Sequence, residues 1–199
     1  MAENEQLILA SSSPYRRDLL ARLGLPFDCI RPEVDETARP GESPEALVVR
    51  LARAKAAVVA RACPGRLVIG SDQVAVLDGQ ILGKPGGHEQ ARRQLQAASG
   101  RTVRFLTGLC LLTDQGPGEC DLVPFDVRFR SLTDREIEAY LQRERPYDCA
   151  GSFKSEGLGV MLFESMTGED PTALIGLPLI RLCAMLRAVG VDPLAPQVA

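Results

Sequence analysis

The distribution of apolar and polar residues along the chain predicts its secondary structure. Apolar or alternating runs predict strands over 7–10, 67–77, 80–83, 102–112, 121–131 and 159–164. Apolar residues at helical spacing predict helices over 14–23, 44–62, 88–98, 134–144 and 178–189. Because helices and strands alternate, with hairpins mixed in, this order predicts an α/β fold in which helices flank a mixed, twisted β-sheet.

Capping and turn residues support several of these bounds. Ser13-Pro14 and Ser43-Pro44 each combine an N-cap residue with proline at the first helical position. Thr133 and Glu136 have the spacing of a capping box. Asp78-Gly79 lies between two apolar runs and predicts a tight hairpin turn.

Composition and charge narrow the classes of function. The 199 residues predict one domain over 1–199, with a frayed tail at 192–199. A net charge of -3 gives no general attraction to nucleic acid or to an anionic membrane. No apolar run approaches the length of a membrane span, and the N-terminus is too polar for a signal peptide. We therefore expect a cytoplasmic protein without nucleic-acid or membrane partners.

The cysteines and the single histidine suggest no zinc site and no covalent catalysis. The six cysteines are widely spaced, without a CxxC pair, and predict reduced, mostly buried thiols. His88 follows Gly86-Gly87 at a predicted helix start, where a surface position is expected. With the one histidine at the surface, a Ser–His or Cys–His nucleophile is not expected.

The segment from Leu7 to Arg17 has the features of an anion-binding site. Three apolar residues predict a buried strand, three serines follow, and Pro14 begins a helix that carries Arg16 in its first turn. The N–H groups and dipole of a helix N-terminus attract negative charge, whereas an arginine there opposes the dipole. A bound phosphate would explain an arginine at this position, so this segment predicts a nucleotide site.

Two further segments place charged residues near the same end of the predicted sheet. Asp72 interrupts an apolar strand, either as part of a turn or bulge or as a functional carboxylate, and the next hairpin returns to Lys84. Glu36 lies in an acidic loop, which is either solvated or a source of oxygen ligands for Mg²⁺. Lys55 borders the apolar side of the following helix, and either reaches solvent or points into a cleft.

A segment rich in small residues, from Cys149 to Gly157, carries Lys154 and Glu156. Because these two residues are two positions apart, an extended chain would point both side chains the same way. The segment is therefore either an ordinary loop or part of a site.

Taken in order, these segments resemble the Maf family of nucleoside triphosphate pyrophosphatases over nearly the full length. The resemblance rests on LILASSSPYRR, VDET, LARAKA, IGSDQ, ILGKP, ASGRTVRFLTGL, AGSFKSEG and IGLPL, which are weak singly and specific as an ordered set. It implies a Maf/ITPase-like fold with an active-site cleft between two lobes. It also implies hydrolysis of a nucleoside triphosphate between its α and β phosphates, and a homodimer as one candidate assembly.

The resemblance also implies a role for each candidate residue. The triphosphate would be bound by Ser11, Arg16, Lys55, Lys84 and Lys154. Glu36 and Asp72 would hold a divalent cation, Mg²⁺ or Mn²⁺, and handle the attacking water, with Asp72 as proton acceptor.

Three positions that distinguish branches of the family are Tyr15, Gln73 and Glu156 in this chain. They resemble the branch that acts on 7-methyl-GTP, which has an aromatic residue (often Trp), Gln and Glu, rather than the dTTP and UTP branch with Arg, Thr and Gln. Methylation at N7 makes guanine cationic, which favours stacking on an aromatic ring. A carboxylate accepts both N–H groups of the guanine Watson–Crick edge. Hydrolysis of 7-methyl-GTP to 7-methyl-GMP and pyrophosphate is therefore expected.

Two alternatives stay open at this point. The chain is also compatible with a pyrophosphatase for dTTP, UTP or other modified nucleotides. Because the family is associated with septum formation, a nucleotide-binding regulator of that process is the second alternative. The acidic pair of Glu36 and Asp72 favours an enzyme, since a protein that only binds has no need of a proton acceptor beside a metal ligand.

Overall fold

A mixed seven-stranded sheet forms the centre of the fold. The computed structural model describes residues 7–113 and 118–195. The strands are β1 (Leu7–Leu9), β2 (Phe27–Cys29), β3 (Leu67–Leu77), β4 (Gln80–Leu82), β5 (Thr102–Leu112), β6 (Glu119–Phe129) and β7 (Phe163–Gly168). Their order is β2-β1-β3-β5-β6-β7, with β4 also paired to β3. Strand β1 runs parallel to β2 and β3, and the other pairs are antiparallel.

Helices flank this sheet, which confirms the predicted α/β fold class. The α-helices are α1 (Pro14–Ala21), α2 (Pro44–Ala62), α3 (His88–Ala98), α4 (Asp134–Glu144) and α5 (Leu179–Ala188). Short 3₁₀ helices cover Ala150–Ser152, Leu158–Leu162 and Pro171–Ile175.

Most predicted elements are confirmed. The strand predictions over 67–77 and 102–112 and the helix predictions over 44–62, 88–98 and 134–144 match residue for residue. The predicted caps of α1, α2 and α4 are present, including both hydrogen bonds of the capping box. Asp78 and Gly79 both have positive φ, as the hairpin turn between β3 and β4 requires.

Two parts of the secondary-structure prediction are wrong. The predicted strand over 159–164 lies mostly in the 3₁₀ helix Leu158–Leu162, and β7 begins only at Phe163. Its apolar run does not mark a buried strand, because Val160 and Met161 are exposed. Strand β2 was not predicted, since a three-residue strand at the edge of a sheet is too short to show a period.

The prediction of reduced, mostly buried thiols is also wrong. Cys110 and Cys120 face each other in the register of β5 and β6 and form a disulfide. The four remaining cysteines are exposed or partly exposed. The spacing of the cysteines did not indicate the disulfide, because only the register of the β5–β6 hairpin places these two residues opposite each other. His88 is partly exposed and hydrogen-bonded to Tyr147 and Glu138, as expected of a surface position.

The predicted frayed tail is described only in part. Residues 192–195 form a turn in which the Ala195 N–H donates to the carbonyl of Asp192, and residues 196–199 lie outside the described range. Across the described ranges, none of the helices has both the length and the apolar character needed to cross a membrane.

Helix α2 lies unusually close to the two central strands. A Cβ atom added at Gly70 in β3 would lie 2.1 Å from the carbonyl oxygen of Ala52, and one added at Gly108 in β5 would lie 2.2 Å from that of Val48. Only glycine permits this approach of helix to sheet. The contact brings Lys55, which is buried in α2, against the middle of β3.

Strand β3 is split along one of its edges. Residues 67–69 pair with β1 and residues 75–77 pair with β4, whereas β5 covers the other edge from 68 to 76. Residues 70–74 therefore face an opening between β1 and β4. Asp72 and Gln73 lie in this opening, immediately beside the loop that leads from β1 into α1.

We expect Gly108→Ala to destabilise the fold by about 3 kcal/mol, because the new methyl group would overlap the α2 backbone and force helix and sheet apart. Urea unfolding measures the change in free energy. Gly83→Ala is the control, since a Cβ there meets nothing within 4 Å and should change the free energy by less than about 1 kcal/mol. Equal stabilities for the two variants would contradict the close contact of α2.

Candidate active site

A cavity of about 1050 Å³ opens where β3 is split. Nine of the ten predicted site residues line it: Ser11, Tyr15, Arg16, Glu36, Lys55, Asp72, Gln73, Lys84 and Glu156. The tenth, Lys154, is not part of the lining, although its Nζ lies 6.0 Å from the centre of the Tyr15 ring. The fold therefore gathers segments that are widely separated in the sequence at one opening in the sheet.

The serine loop between β1 and α1 is folded as a helix entry. The Ser13 hydroxyl caps α1 by accepting from the Arg16 N–H, and the Ser13 N–H donates to the Ser11 hydroxyl at 3.1 Å. Ser11 is buried and lines the cavity. Its hydroxyl accepts from the loop, so its own proton remains available to a ligand oxygen.

The Lys55 ammonium joins the two predicted metal-binding carboxylates. Its Nζ lies 2.7 Å from Asp72 Oδ1 and 2.7 Å from Glu36 Oε1. Asp72 and Lys55 are buried, whereas the Glu36 side chain is 60% exposed. A buried ion pair of this kind depends on good geometry and on further hydrogen bonds.

The loop that carries Glu36 is held by α2. Arg50 donates to the carbonyl of Thr37 at 3.1 Å and to both carboxylate oxygens of Glu42 at 2.5 and 2.7 Å. This hydrogen bonding holds the pKa of Glu42 at about 2, well below its usual value. Because α2 supplies both Arg50 and Lys55, one helix fixes the acidic loop at two points.

Arg16 is oriented by the segment that precedes α5. Its Nε donates to the carbonyl of Gly176 at 2.8 Å, and the Ser71 hydroxyl donates to the same oxygen at 2.8 Å. Burial lowers the pKa of Arg16, while the negative charges of Asp72 and Glu36 oppose that shift. The guanidinium is thus aimed from the first turn of α1 at the acidic side of the cavity.

Gln73 offers a ligand only one kind of hydrogen-bonding group. Its amide nitrogen donates to the carbonyls of Ala173 (2.6 Å) and Leu174 (3.1 Å) and to the hydroxyl of Thr107 (3.1 Å). Carbonyl oxygens only accept, so this contact fixes the orientation of the amide. Among the described residues no hydrogen bond uses the side-chain oxygen, so a ligand group that reached this oxygen would have to be a donor.

Two groups from the segment after α4 flank Tyr15. The Tyr15 hydroxyl donates to Asp148 Oδ2 at 3.2 Å, and the Cys149 thiol lies 3.9 Å from the Tyr15 oxygen. Burial, reinforced by the charge of Asp148, raises the pKa of Tyr15, so the hydroxyl keeps its proton. Glu156 is exposed and lines the cavity from the same segment.

Sequence reasoning missed three charged residues in the lining, Arg31, Glu33 and Asp148. Arg31 immediately precedes the acidic loop, and its basic charge next to that loop was the available signal. Asp148 gave no signal, because the fold alone brings it to Tyr15.

The carboxylate pair fits a hard divalent cation. Glu36 and Asp72 each place an oxygen at 2.7 Å from Lys55 Nζ, so both carboxylates converge on the position of that ammonium, and a metal ion would bind beside it or replace it. Mg²⁺ is commonly held by one or two carboxylates together with water and substrate phosphates. Over residues 7–113 and 118–195, no cluster of three or more His, Cys, Asp or Glu side chains with metal-binding geometry occurs. The remaining ligands would therefore come from phosphate and water.

Comparison with known proteins agrees with the ordered motifs. The chain is 64% identical over 188 residues to a 7-methyl-GTP pyrophosphatase of Pseudomonas syringae pv. tomato, covering 94% of this chain and 97% of that protein. It is 60% identical over 185 residues to a 7-methyl-GTP pyrophosphatase of Nitrosococcus oceani, covering 92% and 93%. The family model described as Maf-like protein matches residues 6–189. The chain therefore belongs to the Maf family.

Proposed function

We propose that this protein hydrolyses 7-methyl-GTP to 7-methyl-GMP and pyrophosphate. The observation that carries the proposal is the single cavity in which nine of the ten predicted residues meet. The names of the relatives from Pseudomonas syringae and Nitrosococcus oceani support the choice of substrate, since both align over more than 90% of their length.

The basic residues of the cavity are suited to a triphosphate. Arg16, Lys55 and Lys84 all line it, and the N-terminus of α1 opens towards it with the Ser11 hydroxyl. Charge-assisted hydrogen bonds from these groups would neutralise most of the charge that a triphosphate brings. In this role Arg16, held by the Gly176 carbonyl, provides a fixed guanidinium.

In this proposal Asp72 accepts a proton from the attacking water. Asp72 is buried in the opening of β3, where its carboxylate forms an ion pair with Lys55. A divalent cation held by Glu36 and Asp72 would lower the pKa of a bound water and neutralise phosphate charge. Attack at the α-phosphate then displaces pyrophosphate, without a covalent intermediate on the protein.

The base would be recognised by Tyr15, Gln73 and Glu156. The ring of Tyr15 offers a π-face to a cationic base. Gln73 presents an oxygen acceptor, and the exposed Glu156 carboxylate presents two more. Guanine carries adjacent N–H donors on its Watson–Crick edge, which these acceptors would bind. Uracil and thymine carry one donor between two carbonyl oxygens, and the acceptors would repel those oxygens.

A panel of nucleoside triphosphates tests this proposal. We expect kcat/KM for 7-methyl-GTP to exceed that for UTP and dTTP at least ten-fold, because acceptor groups reject pyrimidine carbonyls. The products, identified by chromatography, should be the nucleoside monophosphate and pyrophosphate. If UTP or dTTP were hydrolysed as fast as 7-methyl-GTP, the base assignment would be wrong.

Replacing Asp72 by Asn tests its two proposed roles, proton acceptor and cation ligand, together. We expect kcat to fall by at least about 100-fold, the usual contribution of a general base, while the Kd for the triphosphate changes only a few-fold. Asp126→Asn is a matched control, because it removes the same charge from an aspartate that pairs with Arg104 on the far strands. Undiminished turnover in Asp72→Asn would show that another group takes the proton.

A further inference from the structure

Tyr15 is flanked by two opposite charges that come from one distant segment. Asp148 Oδ2 accepts from the Tyr15 hydroxyl at 3.2 Å, and Lys154 Nζ lies 6.0 Å from the centre of the ring. Asp148 also lines the cavity, whereas Lys154 does not. This end of the cavity therefore combines an aromatic face, a carboxylate and a cation.

The position of Lys154 indicates that the Tyr15 ring and the Asp148 carboxylate, which together we call the Tyr15–Asp148 corner, attract positive charge. Its ammonium lies at the limit of cation–π distance from Tyr15, and its charge interacts favourably with Asp148. The Tyr15 ring and the Asp148 carboxylate therefore already have one cation, the Lys154 ammonium, close to them. A guanine methylated at N7 carries a positive charge in its ring and would find the same two partners there.

We propose that Asp148 is a specificity-determining residue that favours a positively charged base, and that Lys154 competes with that base for the Tyr15–Asp148 corner. This inference rests on the proposed function, because it assumes that the base stacks on Tyr15. It gives Lys154 a role at the base end of the cavity in place of the predicted role at the phosphates.

Asp148 has a second possible role that must be separated from charge selection. It accepts the Tyr15 hydroxyl proton in a hydrogen bond and would orient the ring even if its charge were irrelevant. Asparagine keeps an acceptor oxygen at this position and removes only the charge. GTP and 7-methyl-GTP share every phosphate contact, so the ratio of their kcat/KM values isolates the base.

The first experiment measures that ratio for Asp148→Asn at mildly acidic pH, where the methylated base keeps its positive charge. We expect the preference for 7-methyl-GTP over GTP to fall about five-fold, the scale of one partly screened charge pair. The preference of the unmodified protein should also weaken as salt is added, and more steeply than that of Asp148→Asn, which keeps only the charges of Glu156 and Lys154 near the base. An unchanged ratio would overturn the role of Asp148.

The second experiment tests Lys154 with Lys154→Met, which keeps an unbranched side chain one atom shorter and removes the charge. Loss of the competing cation should raise the ratio two- to five-fold. Equal losses of activity on GTP and 7-methyl-GTP would instead assign Lys154 to the phosphates and overturn the competition.

A control on α1 completes the set. Asp18→Asn removes the same charge from a residue that is exposed and paired with Arg17, outside the cavity lining, and should leave the ratio unchanged. If the unmodified protein does not turn over 7-methyl-GTP, the proposed function itself fails. If it does, and Asp148→Asn keeps the full preference, only the further inference fails.

Discussion

The close contact between α2 and the two central strands determines most of this structure. Glycine at 70 and 108 lets the helix backbone lie almost directly on β3 and β5. That approach places Lys55 Nζ 2.7 Å from Asp72 Oδ1, and both side chains are buried, so their opposite charges interact more strongly than they would in bulk water. The same helix uses Arg50 to hold the loop of Glu36. One packing constraint thus sets the positions of a lysine and two carboxylates.

The split edge of β3 supplies the space that these charges need. Between the segments paired to β1 and β4, the strand leaves Asp72 and Gln73 open to a cavity instead of to a neighbouring strand. Groups that suit phosphates lie beside the α1 entry, and Tyr15 on the first turn of α1 meets Asp148 from beyond α4. In the proposed function, phosphate binding and base recognition would therefore share the start of one short helix, α1.

Secondary-structure elements that depend on local sequence patterns could be predicted, whereas contacts that only the fold creates were missed. Helix α2 has a cap, a period and sufficient length, so its bounds were predicted without error. The three-residue strand β2 has none of these features. Ordered motifs and a family resemblance marked the nine predicted residues that line the cavity. Asp148 was not predicted, since it is 133 positions from Tyr15 and only the fold brings the two together. The Cys110–Cys120 disulfide joins residues ten positions apart and was missed because it depends on the register of the β5–β6 hairpin.

We propose that water, activated beside Asp72, attacks the α-phosphate of the bound nucleotide. Hydrolysis of 7-methyl-GTP in ¹⁸O-labelled water, followed by mass spectrometry of both products, tests this directly. The label should appear in 7-methyl-GMP, with pyrophosphate unlabelled, because the attacked phosphorus stays with the nucleoside. Label in pyrophosphate would place the attack at the β-phosphate and contradict the account.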